Sequence, residues 1–153
     1  YINIDLYADG KVDARFDVAT LPYEDNSVDE IKAFHIIEHF HWHDTNKVLA
    51  EWARVLKPGG RIYLDTPDFY ESCKRVVKCY ETGDMDGMLK MYGHMFSEAW
   101  LPGQAHLFLF TEGQLGMQLE WAGFERIKRL PPTSRYLEWH PPEVFLTMEA
   151  FKK

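Results

Sequence analysis

The middle of the chain shows a strand pattern, then a helix pattern, then a second strand pattern. An extended run at 29–34 leads into residues 35–39, which read HIIEH, and a second extended run occupies 61–65. The helix between them is predicted to end at the Pro-Gly-Gly turn at 58–60. A strand, helix, strand crossover builds a parallel sheet, in which ligands bind at the carboxyl ends of the strands. Residues 35–39 are therefore candidates for a binding site.

The helix of this crossover has the clearest periodicity, and Asp44 or Thr45 is expected as its N-cap. Further helices are predicted over 69–81, in a short piece that ends at Tyr92, and after the capping box at 111–114. The apolar stripe of the crossover helix consists of Val48, Leu49, Trp52, Val55 and Leu56.

More strands are predicted toward both ends of the chain. Extended runs occur at 1–6 and 14–18 before the crossover, and at 124–130 and 144–151 after it. The segment 94–106 follows neither the helical nor the strand period, which predicts a loop or lid over a site. Alternating strands and helices of this kind indicate an α/β domain.

Composition limits the classes of function. The chain has 153 residues, of which 46% are hydrophobic, enough for one domain with a packed core. The formal net charge of -7 argues against nucleic acid or anionic membranes and favours a small-molecule or protein partner. Cys73 and Cys79 are too few for a disulfide framework. No apolar run reaches the roughly 20 residues of a membrane span, and the chain opens on a strand pattern instead of a signal peptide, so a cytoplasmic protein is expected.

Residues 35–39 also match the string HxxEH, in which two helical histidines bind zinc and the glutamate activates water. Here the string leaves a strand, and the predicted helix begins only beyond it. His41 and His43 alternate with the other histidines and do not converge with them on one face. A zinc-dependent hydrolase is therefore the less favoured alternative, and no metal site is predicted. Loop histidines beside a ligand pocket are the preferred interpretation.

Several motifs together closely resemble the second half of a class I S-adenosylmethionine-dependent methyltransferase core of the type 11-like group. The linker at 21–29 (LPYEDNSVD) and residues 35–39 resemble the family's entry to, and exit from, its fourth strand. The stretch at 54–60 (RVLKPGG) resembles the turn into the fifth strand and is the most specific element. The Pro-Asp pair at 67–68 and the Ala-Gly-Phe run at 122–124 match later parts of the same family.

The resemblance implies an α/β, Rossmann-like sheet that is mostly parallel, with an antiparallel final strand. The strands at Ile31 and Ile62 are expected to be adjacent, and the strand at Met148 is expected to run antiparallel. A single domain over 1–153 is expected, with 69–110 as a substrate-side insertion or lid within it.

The resemblance also implies S-adenosylmethionine as the cofactor. In this family an acidic residue after the second strand binds the ribose hydroxyls, and Asp5 stands in that position. An aspartate after the third strand accepts the adenine amino group, and the following backbone N–H reaches a ring nitrogen, as Asp17 and Val18 would do. His35 lies in the loop after the fourth strand, where the methionine end of the cofactor is expected.

The implied reaction assigns roles to four polar residues. Methyl transfer from a sulfonium centre is a direct displacement, so the protein aligns the reactants and removes a proton where the acceptor needs it. Histidine exchanges a proton near neutral pH, so His35 or His39 is predicted to orient the cofactor or act as base. Asp68 and His106 are predicted to reach the acceptor, a small molecule or a protein, from the opposite side.

The glycine-rich first strand of the family should precede Tyr1, and no GxGxG string occurs in the chain. We therefore expect a chain that starts late, binds S-adenosylmethionine poorly or not at all, and shields open strand edges by self-association or partial disorder over 1–19. A non-catalytic methyltransferase-like binding module is the alternative. The aromatic loops around Trp100 and Trp139 suggest a flat or partly apolar acceptor, or equally core packing or a homodimer contact.

Overall fold

The computed structural model describes residues 1–7, 12–97, 103–133 and 137–153. In these residues four strands form one sheet in the order β1-β2-β4-β3. The first two strands are parallel, and the last strand is antiparallel to both of its neighbours. The strands are β1 (Val28–Phe34), β2 (Leu56–Pro67), β3 (Phe124–Leu130) and β4 (Phe145–Lys152).

The strand pairing confirms the predicted fold class. Ile31 lies opposite Ile62 in the parallel ladder of β1 and β2. Met148 lies opposite Leu64 in the antiparallel ladder of β2 and β4. Three strands therefore run in one direction and β4 opposes them, as a Rossmann-like sheet with an antiparallel final strand requires.

Helices connect the strands and supply the rest of the core. The last helix begins at the predicted capping box, in which the side chains of Thr111 and Gln114 satisfy each other's backbone N–H groups. Two single-turn 3-10 helices, Ile37–His39 and Pro142–Val144, precede α1 and β4. The helices are α1 (Trp42–Val55), α2 (Phe69–Thr82), α3 (Met85–Phe96) and α4 (Glu112–Trp121).

The predicted N-cap of α1 is wrong. The helix begins at Trp42, so Asp44 and Thr45 lie in its first turn, and the N-cap residue His41 makes no side-chain capping bond. The Thr45 hydroxyl donates instead to the His41 carbonyl at 3.2 Å. The apolar stripe fixed the helix correctly, but polar residues in a first turn resemble caps because they too bond to nearby backbone groups.

Two other boundaries differ from the prediction. Strand β2 already begins at Leu56, so the Pro-Gly-Gly turn belongs to the strand, where Gly59 has a φ of +75°. Helix α3 continues through Gly93 to Phe96. His94 therefore lies on a helix and is buried, whereas the sequence placed it in a loop.

The core lies between the sheet and the two helices α1 and α4. Trp52 of α1 and Leu115 of α4 are almost completely buried and join one cluster with the apolar side chains of β2 and β4. Burial of side chains of this size contributes about 1.5–3 kcal/mol each. A second, smaller cluster of Met91, Val144 and Phe145 lies beside helix α3.

Residues 1–7 and 12–18 do not join the sheet. The strands predicted at 1–6 and 14–18 are reduced to one parallel bridge between Ile4 and Ala14. A strand needs a neighbour along its whole ladder, and in the described residues these two runs have only this one pair in common. The indole N–H of Trp52 donates to the Val18 carbonyl at 2.8 Å and so ties the segment to α1.

Among the described residues, no helix combines the length and the apolar character that crossing a membrane requires.

Candidate active site

A cavity of about 1040 Å³ opens at the carboxyl end of β1. Its wall is formed by the N-terminal segment, the loop after β1, the end of α3, and residues 103–107 and 139–140. Six residues predicted for the site line this cavity: Asp5, Asp17, Val18, His35, His39 and His106. The cavity therefore lies where ligands bind in parallel α/β sheets. Trp139 also lines it, whereas Trp100 and the part of the predicted lid at 98–102 lie outside the described residues.

Asp68 is not part of the cavity wall, which corrects the prediction that it reaches the acceptor. Its side chain is 2% exposed and accepts a hydrogen bond from the Glu71 backbone N–H at the start of α2. Its other carboxylate oxygen lies 2.9 Å from a guanidinium nitrogen of Arg129. Both carboxylate oxygens of Asp68 thus serve the helix cap and an ion pair with β3. The Pro-Asp motif is structural in this chain.

Asp5 and Asp17 form the acidic side of the cavity. One carboxylate oxygen of Asp5 accepts from the Tyr7 N–H at 2.7 Å, and one of Asp17 accepts from the Ala19 N–H at 2.9 Å. These are Asx-type turns, which hold each side chain in a fixed direction. Asp17 is exposed to solvent.

His35 stands directly after β1 with a φ of +53°, a left-handed conformation that is uncommon for a residue other than glycine. Its backbone N–H donates to the Asp65 carbonyl of β2 at 2.7 Å. Its ring Nδ1 donates to the Glu38 carboxylate at 3.0 Å, and Nε2 lies 3.6 Å from the Asp65 carboxylate. The neighbouring strand and Glu38 therefore hold the chain in this turn and fix the orientation of the ring.

Glu38 is fully buried beneath the histidines. Burial alone would raise its pKa, but the hydrogen bond from His35 and the electrostatic attraction of that ring lower the pKa below its ordinary value. The Thr66 hydroxyl donates to the second carboxylate oxygen at 3.0 Å. Glu38 is therefore an ionised, doubly anchored carboxylate. It was not among the predicted site residues, although the HxxEH string contained it.

His39 and His106 meet edge to face, with ring centroids 4.9 Å apart. The Nδ1 atom of His39 donates to the Ala105 carbonyl, and that of His106 donates to the Met95 carbonyl. Burial lowers the pKa of His106 more than the nearby Glu38 raises it, so this ring is neutral at pH 7. With a proton on Nδ1, the lone pair of the neutral ring is on Nε2.

Two further histidines in the cavity wall were missed. His94 donates from Nε2 to the Val144 carbonyl at 3.1 Å, and burial lowers its pKa to about 3. Its ring lies 4.6 Å from that of His140, whose pKa is also lowered by burial. His94 was missed because the sequence placed it in a loop, which gave no reason to expect burial. Its position on α3 would have indicated that it is buried.

The inverted zincin arrangement is not formed in these residues. Its two histidines must lie on one face of an α-helix, but residues Ile37–His39 make a single 3-10 turn and His35 precedes it. His35 bonds to the glutamate, and His39 faces His106 instead of His35.

Residues 7–64 match a protein family described as a methyltransferase domain. Over 53 residues the chain is 42% identical to an uncharacterized 37.1 kDa protein encoded by a Streptomyces fradiae transposon. That alignment covers 35% of this chain and 15% of the Streptomyces protein.

Solved structures share the fold at low sequence identity. One is an S-adenosylmethionine-dependent methyltransferase of Thermotoga maritima, described as a possible histamine N-methyltransferase. Its TM-score is 0.57 at 18% identity, and the alignment covers 92% of this chain and 63% of the Thermotoga chain. Human N-acetylserotonin methyltransferase, in complex with S-adenosylmethionine, has a TM-score of 0.58 at 16% identity. This alignment covers 91% of this chain and 33% of the human chain. A possible exported protein of Bordetella parapertussis has a TM-score of 0.59 at 18% identity, covering 90% and 42%.

Residues 7–64 therefore match a methyltransferase domain family, and the described residues share the fold of S-adenosylmethionine-dependent methyltransferases. The family match agrees with the resemblance in the sequence motifs, and the human protein that shares the fold was solved with S-adenosylmethionine bound. The chain spans 15% of the Streptomyces protein and 42% of the Bordetella protein, so the relatives are considerably longer.

Proposed function

We propose that this domain transfers a methyl group from S-adenosylmethionine to a small-molecule or protein acceptor that enters the cavity. One observation carries the proposal: a single cavity has Asp5, Asp17 and Val18 in one part of its wall and His35, His39 and His106 in another. The first set offers acceptors and a backbone donor for a nucleoside. The second set offers groups that can take up a proton.

The residues in the wall fit the cofactor. A ribose diol and an adenine amino group are hydrogen-bond donors, and the carboxylates of Asp5 and Asp17 are acceptors held in place by their local turns. Phe16 and Phe34 in the same wall offer apolar surface for a flat base. When bound, S-adenosylmethionine supplies an activated methyl group on sulfur.

On the acceptor side, this chain's own residues position the nucleophile and accept its proton. His106 is neutral at pH 7 because burial lowers its pKa, so its Nε2 atom can receive a proton from the acceptor. His35 is held by Glu38 and Asp65 and is placed to orient the cofactor's methionine end. We further propose that the α2–α3 pair and the chain up to 110 form the cover of the acceptor side.

The test uses the longest native form of the protein that contains this domain. Titration calorimetry with S-adenosylmethionine should show affinity reduced by about 1.5–3 kcal/mol in both Asp5→Ala and Asp17→Ala, the range for a hydrogen bond to a charged group. The matched control is Asp86→Ala, since this aspartate is 79% exposed on α3 and pairs with Lys90. Unchanged affinity in both cavity variants would place the nucleoside elsewhere.

A further inference from the structure

Three side chains at the histidine side of the cavity bring metal-binding atoms together. Glu38, His39 and His106 each contribute one donor atom, and all three atoms lie within 4.8 Å of one another. Within this group, Nε2 of His106 is 3.9 Å from a Glu38 carboxylate oxygen. Donor atoms around one zinc ion lie about 3.4 Å apart, since each is about 2.0–2.1 Å from the metal. The donor atoms would therefore approach one another by at most about 1.4 Å when the ion binds.

The orientation of both imidazoles is that of metal ligands. A ligating histidine commonly donates its other ring N–H to a backbone carbonyl or a carboxylate, which fixes the tautomer and the direction of the free nitrogen. His39 donates from Nδ1 to the Ala105 carbonyl at 3.0 Å, and His106 donates from Nδ1 to the Met95 carbonyl at 3.1 Å. In each ring Nε2 is therefore the atom that would bind the ion.

The carboxylate is oriented in the same way. Glu38 is 0% exposed, and its two oxygens accept from His35 Nδ1 and from the Thr66 hydroxyl, each at 3.0 Å. Each carboxylate oxygen can accept a second partner, so these bonds aim the group without using all of its capacity. A fully buried carboxylate needs compensating positive charge, and a cation between it and the two imidazoles would provide it.

We propose that Glu38, His39 and His106 bind one divalent transition-metal ion and that the open coordination positions of this ion take the hydroxyl oxygen of the methyl acceptor. Two imidazoles and one carboxylate favour zinc, iron, manganese or cobalt over magnesium and calcium, which prefer all-oxygen sites. His39 and His106 line the cavity while Glu38 lies beneath them, so the remaining positions face the cavity.

The role of the metal in the reaction rests on the proposed methyl transfer. With the ion bound, His106 is a metal ligand and not the base, because its Nε2 has no free lone pair for the acceptor's proton. A hydroxyl oxygen on a divalent cation loses its proton near neutral pH, and the proton passes to water. The new oxygen–methyl bond then forms as the sulfur–methyl bond breaks, and the electron pair of that bond goes to sulfur, which becomes a neutral thioether. An acceptor that is activated in this way is an alcohol or a phenol.

The metal site is tested first by titrating Zn²⁺ into the metal-stripped 153-residue chain by calorimetry, with the visible spectrum of bound Co²⁺ as a second readout. We expect one ion per chain. Glu38→Gln, His39→Ala and His106→Ala should each weaken binding by at least about 100-fold, because even outer-shell partners of a metal ligand contribute 10- to 100-fold. The absence of binding by the native chain would overturn the proposal.

The matched control is a double variant, His41→Ala with His43→Ala. These two rings are stacked 5.5 Å apart at the exposed start of α1 and form a pair of imidazoles outside the proposed site. Their removal should change the affinity for Zn²⁺ by less than about twofold, as for ordinary surface substitutions. If this control abolishes binding and His106→Ala does not, the ion is bound at the helix start and the proposal is wrong.

A second measurement needs no substitution at the buried carboxylate. In nitrogen NMR of the native chain labelled at the imidazoles, Zn²⁺ should shift the Nε2 signals of His39 and His106 and leave those of His41 and His43 in place. The reverse result contradicts the proposal. Zn²⁺ binding is measured without cofactor, and cofactor binding is measured with a chelator. Loss of one without the other shows which of the two proposals has failed.

Discussion

Two parts of the cavity wall are built in different ways. The histidine wall, formed by His35, His39 and His106, is anchored by buried elements: β2 contacts His35, and Glu38 lies under all three rings. The aspartate wall, formed by Asp5 and Asp17, stands on a segment joined internally by one bridge, and its side chains are held by turns within the segment itself.

The histidine wall therefore holds its chemical groups in fixed positions, whereas the aspartate wall only offers contacts to a ligand. Groups that must align reactants benefit from rigid surroundings, because small displacements of a reacting atom are costly. A nucleoside contact tolerates more local freedom, since it depends on hydrogen bonds and not on reaction geometry. We therefore expect substitutions near the histidine wall to affect stability, and substitutions in the aspartate wall to affect binding.

The largest effect is expected for Trp52→Ala. Trp52 is 2% exposed, lies in the main core, and donates to the Val18 carbonyl next to Asp17, so it joins the aspartate wall to the core. Its removal should lower the free energy of unfolding by about 3–5 kcal/mol, as other large-to-small core substitutions do. Chemical denaturation measures this loss. Trp42→Ala is the control, because Trp42 is 59% exposed and its removal should cost less than about 0.5 kcal/mol.

Asp68→Ala should lower stability without affecting cofactor binding. The substitution removes the N-cap of α2 and leaves Arg129 without its buried partner. We expect a loss of about 2–3 kcal/mol, from a cap that contributes about 1 kcal/mol and a partly buried ion pair. Thermal unfolding and S-adenosylmethionine titration are measured together. A variant that keeps its stability but loses the ability to transfer methyl groups would restore Asp68 to the active site.

His94 predicts an acid-sensitive fold. Its pKa falls from 6.5 to about 3 in the folded chain because of burial, and His140, His35 and His106 lower it further. Below pH 6.5 His94 therefore binds a proton in the unfolded chain but stays unprotonated in the folded chain. The stability that depends on His94 is fully present above this pH and is lost as the pH falls toward 3. Between pH 7 and pH 5 the loss from this one group is about 2 kcal/mol.

Denaturation of His94→Gln across the same pH range checks this assignment. Glutamine can still donate to the Val144 carbonyl but does not titrate, so the variant should lack that part of the pH dependence. His43→Gln is the control, since the side chain of His43 is 60% exposed. Parallel pH profiles for the native chain and His94→Gln would mean that His94 is already protonated or accessible in the folded chain.

Much of the sheet could be predicted from local sequence patterns. The turn motif before β2, the apolar stripe of α1 and the capping box of α4 are short-range signals, and the pairing of Ile31 with Ile62 followed from them. Whether the runs before the crossover form strands could not be predicted from local patterns, because a strand forms only when a neighbouring strand completes its hydrogen bonds.

The site was less predictable because its chemistry depends on distant residues. Glu38 and His39 are next to each other in sequence, but His106 joins them through the packing of the chain after α3. An HxxEH string read locally suggested two histidines as ligands, whereas in the fold His35 positions the glutamate. Asp68 is the opposite case, because the sequence predicted it for the site. In the structure this residue at a strand end caps α2 and forms an ion pair with Arg129.

The smallest effect is expected for Ile4→Ala, compared with the same change at Ile62. Ile62 is fully buried in β2, so Ile62→Ala should cost about 2–5 kcal/mol. Ile4 is only half-buried and pairs with Ala14 through a single bridge, so its loss should cost less than about 1 kcal/mol. Urea denaturation of both variants measures the contrast. Equal losses would show that the aspartate wall unfolds together with the core, and the distinction between the two walls would no longer hold.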